Sequence, residues 1–285
     1  MPRGVRSPAR RTLFRFRRNR LAAAALVVLA AVHVLVLLAP WIAPYGPEVV
    51  SLIERLQPPS RQHWLGTDEY GRDVLTRLLY GGRVSLAVAL WSMAASIVIG
   101  VAVGALGGYA GGPTDAVLMR ITDGMLAVPL FFVALMALAT FGATLVNLVA
   151  VIALSSWMTV ARTVRAEVLR NRELDFVAAA RALGCGRWRI VARHVVPQSI
   201  PSVTVAATLG VAFAVLLESS LSFLGLGVQP PAASWGNMLS GARGYLRTAP
   251  GLAVVPGVLI LVTVLCYNWL GDGLRDAIDP TRADR

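Results

Sequence analysis

Six long apolar stretches, at 21–43, 84–108, 121–141, 144–163, 198–219 and 251–271, set the terms on which this chain can fold. A helix needs about 20 such residues to cross the hydrocarbon core of a bilayer, and a helix satisfies its own backbone hydrogen bonds there. The balance of residues agrees. Of 285 residues 56% are hydrophobic and 15% charged, where soluble domains carry about 25% charged. The leader "RTLFRFRRNR" before the first stretch has the charge of a signal peptide. The run Leu21–Ala39 is long for one, however, and "LAPWIAPYG" offers no small-residue cleavage site. The first stretch therefore reads as an uncleaved membrane helix. The spacing predicts an all-α membrane protein of six transmembrane helices.

Arginine placement orients those helices. Segments 1–20, 109–120, 164–197 and 272–285 hold 8, 1, 7 and 3 arginines, against 5 and 2 in 44–83 and 220–250. Basic residues concentrate on the cytoplasmic side, which predicts an N-in, C-in topology. Segment 1–20 is then a basic cytoplasmic N-terminus and 272–285 a cytoplasmic C-terminus. The net charge of +12 follows from this arrangement and calls for no nucleic acid partner.

Every one of the 27 basic side chains is arginine. A Walker A loop needs a lysine, and so does Schiff-base catalysis, so the chain can be neither a P-loop ATPase alone nor a Schiff-base enzyme. His33, His63 and His194 fall in a span, outside and inside, and cannot converge on a metal. Cys185 and Cys266 give no disulfide framework or zinc spacing. HExxH and GxSxG are both missing.

Some spans carry readable packing. Ser96, Gly100, Gly104 and Gly108 recur every four residues in the second span and form one small-residue face for close helix approach. Pro129 predicts a kink in the third. Segment 44–83 is extracytoplasmic and includes a short amphipathic helix with Val74, Leu75, Leu78 and Leu79 on one face. Of the ionisable residues near spans, Glu218 sits at the outer end of the fifth, Asp123 at the inner edge of the third, and Asp272 closes the last. Each reads as a solvated or capped end residue, with Glu218 the first candidate to line a transport path.

The loop 164–197 is too polar to span. "ELDFVAAARAL" (173–183) reads as a helix whose start Glu173 and Asp175 favour through the helix dipole. Leu174, Val177, Ala178 and Arg181 would share one face, and Phe176, Ala180 and Leu183 another. Gly184 would stop it. A second short helix, "RWRIVARHVV", would follow, with Pro197 at the entry to the fifth span. The alanines allow close approach to another surface, while the arginines suit a protein partner or lipid phosphates equally.

This loop resembles the "EAA" signature of ABC-importer permeases: EAA, three residues, G, nine residues, then I-x-L-P. Ala178, Ala179, Ala180, Gly184, His194, Val196 and Pro197 fall at those offsets. Ala178 stands where the signature has glutamate, which leaves Glu173 and Asp175 as the acidic candidates. "HWLGTDEYGRDVLTRLLYGGRVSL" (63–86), "ESSLSFLGLGVQPPAASWGNML" (218–239) and "NWLGDGLRDAIDP" (268–280) are similar to segments of the C-type permease subunit of dipeptide, oligopeptide and nickel importers. The resemblance covers roughly residues 10–280.

It implies a five-helix core (84–271) of the type I importer kind and a cytoplasmic coupling helix formed by Glu173, Asp175, Phe176, Ala178, Ala179, Ala180, Arg181 and Gly184, with Pro197 closing the motif. The implied partners are a homologous B-type permease, two cytoplasmic ATP-binding subunits and an extracytoplasmic solute-binding protein. ATP and magnesium would be held on the partner subunits, with no cofactor or metal in this chain. The setting would be the bacterial inner membrane. The outer segments 44–83 and 220–250 would meet the binding protein or form an outer gate, with Asp68, Arg72, Asp73, Glu218 and Trp235 as candidates. Peptides are the favoured cargo and nickel chelates the alternative. A stand-alone secondary transporter would need a mid-membrane polar site that the sequence does not display. A membrane enzyme lacks its nucleophile and base, and the EAA spacing favours an importer over an exporter.

Overall fold

The computed structural model describes residues 14–278. Most of the basic N-terminal segment (1–13) and residues 279–285 lie outside the described residues. Among the described residues, five helices are long and apolar enough to cross a membrane: α1 (Arg20–Leu37), α2 (Val74–Ala110), α5 (Leu145–Asn171), α7 (Arg187–Phe223) and α9 (Gly251–Ile278). The remaining passage is a broken pair, α3 (Gly112–Ala127) and α4 (Leu130–Phe141), bent by 84°. The expected kink at Pro129 is thus a full break. Pro129 pushes Val128 into an extended conformation (φ −89°, ψ 133°), because its ring excludes the helical region for the residue before it. Two shorter helices, α6 (Asp175–Ala182) and α8 (Trp235–Ala242), cover opposite ends of the bundle.

Helices α2 and α5 form the centre and run parallel. Ser92 Oγ donates to Val149 O (3.2 Å) and Ser96 Oγ to Ala153 O (2.9 Å). Below them Gly100 faces Val160, Gly104 faces Ala161 and Val164, and Gly108 faces Val168. A Cβ on Gly100 would lie 2.6 Å from Val160 Cβ, so the two helices pack as closely as this stripe of small residues permits. Helix α7 crosses this pair, α9 packs antiparallel on α7, and α1 lies on α9. There, His33 Nδ1 donates to Leu29 O (2.8 Å). Its Nε2 then accepts from the Tyr267 hydroxyl (3.1 Å).

Two sequence expectations change here. No separate amphipathic helix precedes the second span, because Val74–Ala110 is one continuous helix of 37 residues. At 1.5 Å per residue it is about 55 Å long, well beyond a hydrocarbon core of about 30 Å. Its first turns are apolar on one face because they pack under the cap formed by 43–73 and 224–250. Likewise "RWRIVARHVV" is not a separate helix. A π turn over Val191–Val195 joins Arg187–Ile190 to Val196–Phe223. Pro197 lacks an N–H and crowds the carbonyl four residues back. The wider turn absorbs that conflict without ending the helix.

Candidate coupling surface and substrate groove

Helix α6 hangs from the end of α5. Arg172, the C-cap residue of α5, donates through Nη1 to Gly108 O (2.8 Å) and through Nε to Glu173 Oε1 (2.9 Å). The first contact ties the loop to the end of α2. The Arg181 guanidinium lies 5.8 Å from the centroid of the Tyr109 ring, a second tie to the same helix end. Leu174 occupies the N-cap without a side-chain cap, and Asp175 stands in the first turn. At the other end Gly184 N–H donates to Arg181 O (3.0 Å) and Cys185 N–H to Ala180 O (3.1 Å). This is a Schellman stop. Gly184 has φ +79°, a left-handed value that glycine adopts without steric cost.

The rotation of α6 differs from both faces drawn from the sequence. Val177 and Ala180 are buried against the bundle, three residues apart and so on one side. Ala180 therefore packs inward and is corrected from a partner contact to a packing residue. The opposite side carries Asp175, Ala178, Ala179 and Ala182, all exposed. Phe176 and Leu183 flank it, the latter 84% exposed, and Trp188 stands 73% exposed just beyond the stop. The arrangement is a shallow, small-residue ridge rimmed by large apolar side chains and by Arg181 and Arg187. Such a ridge can enter a groove on another protein. Pro197 is exposed but belongs to α7, outside this ridge.

Between α5 and α7 lies a groove of about 960 Å³. Ser155, Thr159, Thr163 and Glu167 line it from α5, and Gln198 and Ser202 from α7. Ser202 Oγ donates to Glu167 Oε1 (2.7 Å). Arg170 Nη2 lies 2.8 Å from Glu167 Oε2 as an ion pair, without hydrogen-bond alignment. The hydroxyls of Ser155 and Thr163 bond back to Val151 O and Thr159 O. This strip of α5 is polar and uncharged as far as Glu167, while Arg170, Arg275 and apolar residues such as Met93, Leu130 and Phe213 also line the groove. The four α5 residues recur every fourth position, a stripe readable in the sequence and overlooked there. Asp123, at the loop end of α3, pairs with Arg162 (2.5 Å).

Of the five outer candidates, Asp68, Asp73, Glu218 and Trp235 are buried and Arg72 is partly buried against Asp68; Asp68 and Arg72 also line a cavity in the cap. Asp73 is buried; it accepts from Thr76 N–H (2.7 Å), which caps α2, and lies 2.9 Å from His63 Nδ1. Asp68, also buried, accepts from Tyr70 N–H, Arg72 N–H and Arg72 Nε (2.8, 3.0 and 2.7 Å). Trp235 is fully buried, with Nε1 donating to Leu78 O (3.0 Å) and its N–H to Ser85 Oγ (3.2 Å). Glu218 is neither solvated nor on the groove. It is 0% exposed and accepts from Ser222 Oγ (2.7 Å) and, at 3.4 Å, Ser219 Oγ. Ser85 and Ser234 face the same carboxylate. These side chains pair within the fold because a buried polar group without a partner is costly. Among the described residues no cluster of three or more His, Cys, Asp or Glu could hold a metal.

Residues 96–282 match the family described as the binding-protein-dependent transport system inner membrane component. The chain belongs to this family. Residues 7–59 match the N-terminal transmembrane domain of oligopeptide transport permease C. A peptide permease protein of Brucella suis is 44% identical over 96% of this chain and 91% of its own length. The dipeptide transport system permease protein of Alkalihalophilus pseudofirmus is 38% identical over 96% and 90%. The glutathione transport system permease protein of Pectobacterium atrosepticum is 39% identical over 97% and 92%. Among solved structures, the inward-facing MetNI methionine ABC transporter aligns with TM-score 0.55 at 18% identity, covering 71% of this chain and 97% of that one. The shared fold is that of a type I ABC importer permease. The chain is a multi-pass membrane transport subunit.

Proposed function

We propose that this permease imports di- and oligopeptides across the bacterial inner membrane as half of a heterodimeric pathway. The other half is a homologous B-type permease, and the groove between α5 and α7 faces it. Two cytoplasmic ATP-binding subunits hold ATP and magnesium and meet the α6 ridge. An extracytoplasmic solute-binding protein delivers cargo to the cap. The observation that carries this reading is the exposed alanine ridge of α6, which sits on the face that holds the signature residues Ala178 and Ala179. Asp175 lies on that ridge, so it is the acidic group that replaces the missing signature glutamate. Glu173 is already paired with Arg172.

The cycle follows from the attachments of α6. Closure of the ATP-bound subunits displaces the ridge. Arg172 passes the movement to the ends of α2 and α5, and the π turn at the start of α7 passes it to the other wall of the groove. The groove then opens outward, and hydrolysis returns it. Cargo biases these states only by binding them differently. A strip of hydroxyls beside apolar residues, with Glu167, Arg170 and Arg275 also on the wall, suits peptides, whose charges and amides vary in position from one cargo to the next. The names of the relatives, for peptide, dipeptide and glutathione transport, support short peptides over nickel chelates.

The test is purification of the assembled complex with its binding protein and mass spectrometry of the retained ligand, followed by ATP-driven uptake of that ligand into proteoliposomes. Short peptides should be recovered, and uptake should need both ATP and the binding protein. Recovery of a metal chelate, or uptake without ATP, would overturn the reading.

A further inference from the structure

The charged side chains that line the groove, Glu167, Arg170 and Arg275, all stand at the end nearest α6. Arg170 is in the last turn of α5, Glu167 one turn before it, and Arg275 in the last turn of α9. Glu167 is compensated within the chain. One of its oxygens accepts from Ser202 Oγ (2.7 Å), and the other lies 2.8 Å from Arg170 Nη2. Arg275 differs. It is exposed on the groove wall, and among the described residues no carboxylate lies within ion-pair distance of it. Its neighbours on α9, Asp272 and Asp276, do not pair with it. The uncompensated charge at this end of the groove is therefore positive.

The far end of the groove is apolar, walled by Met93, Leu130 and Phe213. Between the two ends the hydroxyl strip from Ser155 to Glu167 runs for about 18 Å at 1.5 Å per residue, room for about five extended residues. Every free peptide ends in one carboxylate and begins with one ammonium, whatever its side chains. An unpaired guanidinium can hold a carboxylate with two parallel N–H bonds. An ammonium meets no equivalent, because Ser202 and Arg170 already occupy Glu167. From this asymmetry we infer that Arg275 binds the C-terminal carboxylate of the cargo peptide at the cytoplasmic end of the groove, and that the groove does not select for a free N-terminus. The inference rests on the peptide-importer reading above. It also gives a role to the segment 268–280, which carried part of the family resemblance without one.

The experiment uses the full complex in phosphatidylcholine nanodiscs without ATP or binding protein, so that selection by the binding protein does not enter. Thr163→Cys places a thiol on the groove wall. Cys185→Ser removes the partly exposed native thiol, and Cys266 is buried. The rate of maleimide labelling of the Thr163→Cys thiol is measured against rising concentrations of trialanine, its C-terminal amide and its N-acetyl derivative. Trialanine and the N-acetyl form should protect at similar concentrations. The amide should need about tenfold more, the loss expected when a hydrogen-bonded charge partner is removed. Arg275→Gln should make acid and amide equal, and Arg275→Lys should keep part of the preference.

Equal protection by acid and amide with Arg275 in place would overturn the inference, and so would no protection by either. An acid preference that survives Arg275→Gln overturns it as well. Loss of protection on N-acetylation would mean that the groove reads the ammonium, and the inference fails. If phosphatidylglycerol added to the nanodiscs abolishes protection by trialanine, Arg275 serves a lipid phosphate and the inference also fails. If Arg275→Gln does not assemble, the three-peptide comparison with Arg275 in place decides alone. Failure of the importer reading would look different: ATP-driven uptake of short peptides with the binding protein would be absent, whereas a failed inference leaves that uptake intact.

Discussion

Gly104→Ala adds one methyl group at the closest glycine contact between α2 and α5. The new Cβ would lie 2.9 Å from Val164 Cβ and 3.1 Å from Arg165 N, and would overlap Ala161 O. Two of these three obstacles are backbone atoms of α5 and cannot rotate away, so the helices must move apart. Overpacking costs about 1–3 kcal/mol, and a backbone obstacle places this site near the upper end. Alanine in a helix returns about 0.5–1 kcal/mol relative to glycine. The net loss is about 2 kcal/mol. Gly124, on α3, has nothing within 4 Å of its would-be Cβ, so Gly124→Ala should keep only the favourable term. At about 2–4 °C per kcal/mol for chains of similar size, Gly104→Ala should lower the unfolding midpoint by about 4–8 °C, while Gly124→Ala raises it slightly. Tryptophan fluorescence during heating in nanodiscs measures both. Equal shifts of the same sign would refute the claim that α2 and α5 are held together by this stripe.

Three further outcomes can be checked on the same preparation. Asp73→Ala removes the cap of α2 and the partner of buried His63, and should cost about 2 kcal/mol or more in the midpoint, whereas Asp73→Asn keeps the cap and should cost less. Glu218→Gln retains the shape of the serine cage and should cost about 1 kcal/mol, while Glu218→Ala strands several buried hydroxyls and should cost at least twice that; equal losses would mean that the carboxylate is not their common acceptor. Gly184→Ala forces a side chain into the left-handed region at a cost of about 1–2 kcal/mol, local to the loop. It should therefore speed proteolysis between α6 and α7 while leaving the global midpoint nearly unchanged.

The spans and the stop of α6 are legible in the sequence because each has a local cause: an apolar run, a four-residue register of small residues, a glycine after a helix. Where the expectation missed, the cause lies elsewhere in the chain. The rotation of α6 is decided by the ends of α2 and α5, and alanines on both faces give periodicity nothing to distinguish. The continuity of α7 through Pro197 depends on a π turn, which no residue pattern marks. Asp68 and Asp73 look like surface charges because polar residues in a loop usually are. They are buried because each finds a partner within ten residues or so, and Glu218 is buried because serines from three separate elements converge on it. Polar stripes are also easier to discount than apolar ones. Ser155, Thr159, Thr163 and Glu167 share a register as regular as that of Ser96 to Gly108, but in a span they dilute the apolar signal that locates the helix.

The central claim is that the outward ridge of α6 engages an ATP-binding subunit. Ala179→Trp fills that ridge without touching the buried Val177 and Ala180 side, and Ala102→Trp, exposed on α2 within its span, serves as the matched control. Co-purification of the ATP-binding subunits and ATP-driven peptide uptake are measured for both. The account predicts that Ala179→Trp inserts and folds but loses the subunits and the uptake, while Ala102→Trp keeps both. Wild-type subunit recovery and uptake with Ala179→Trp would contradict it.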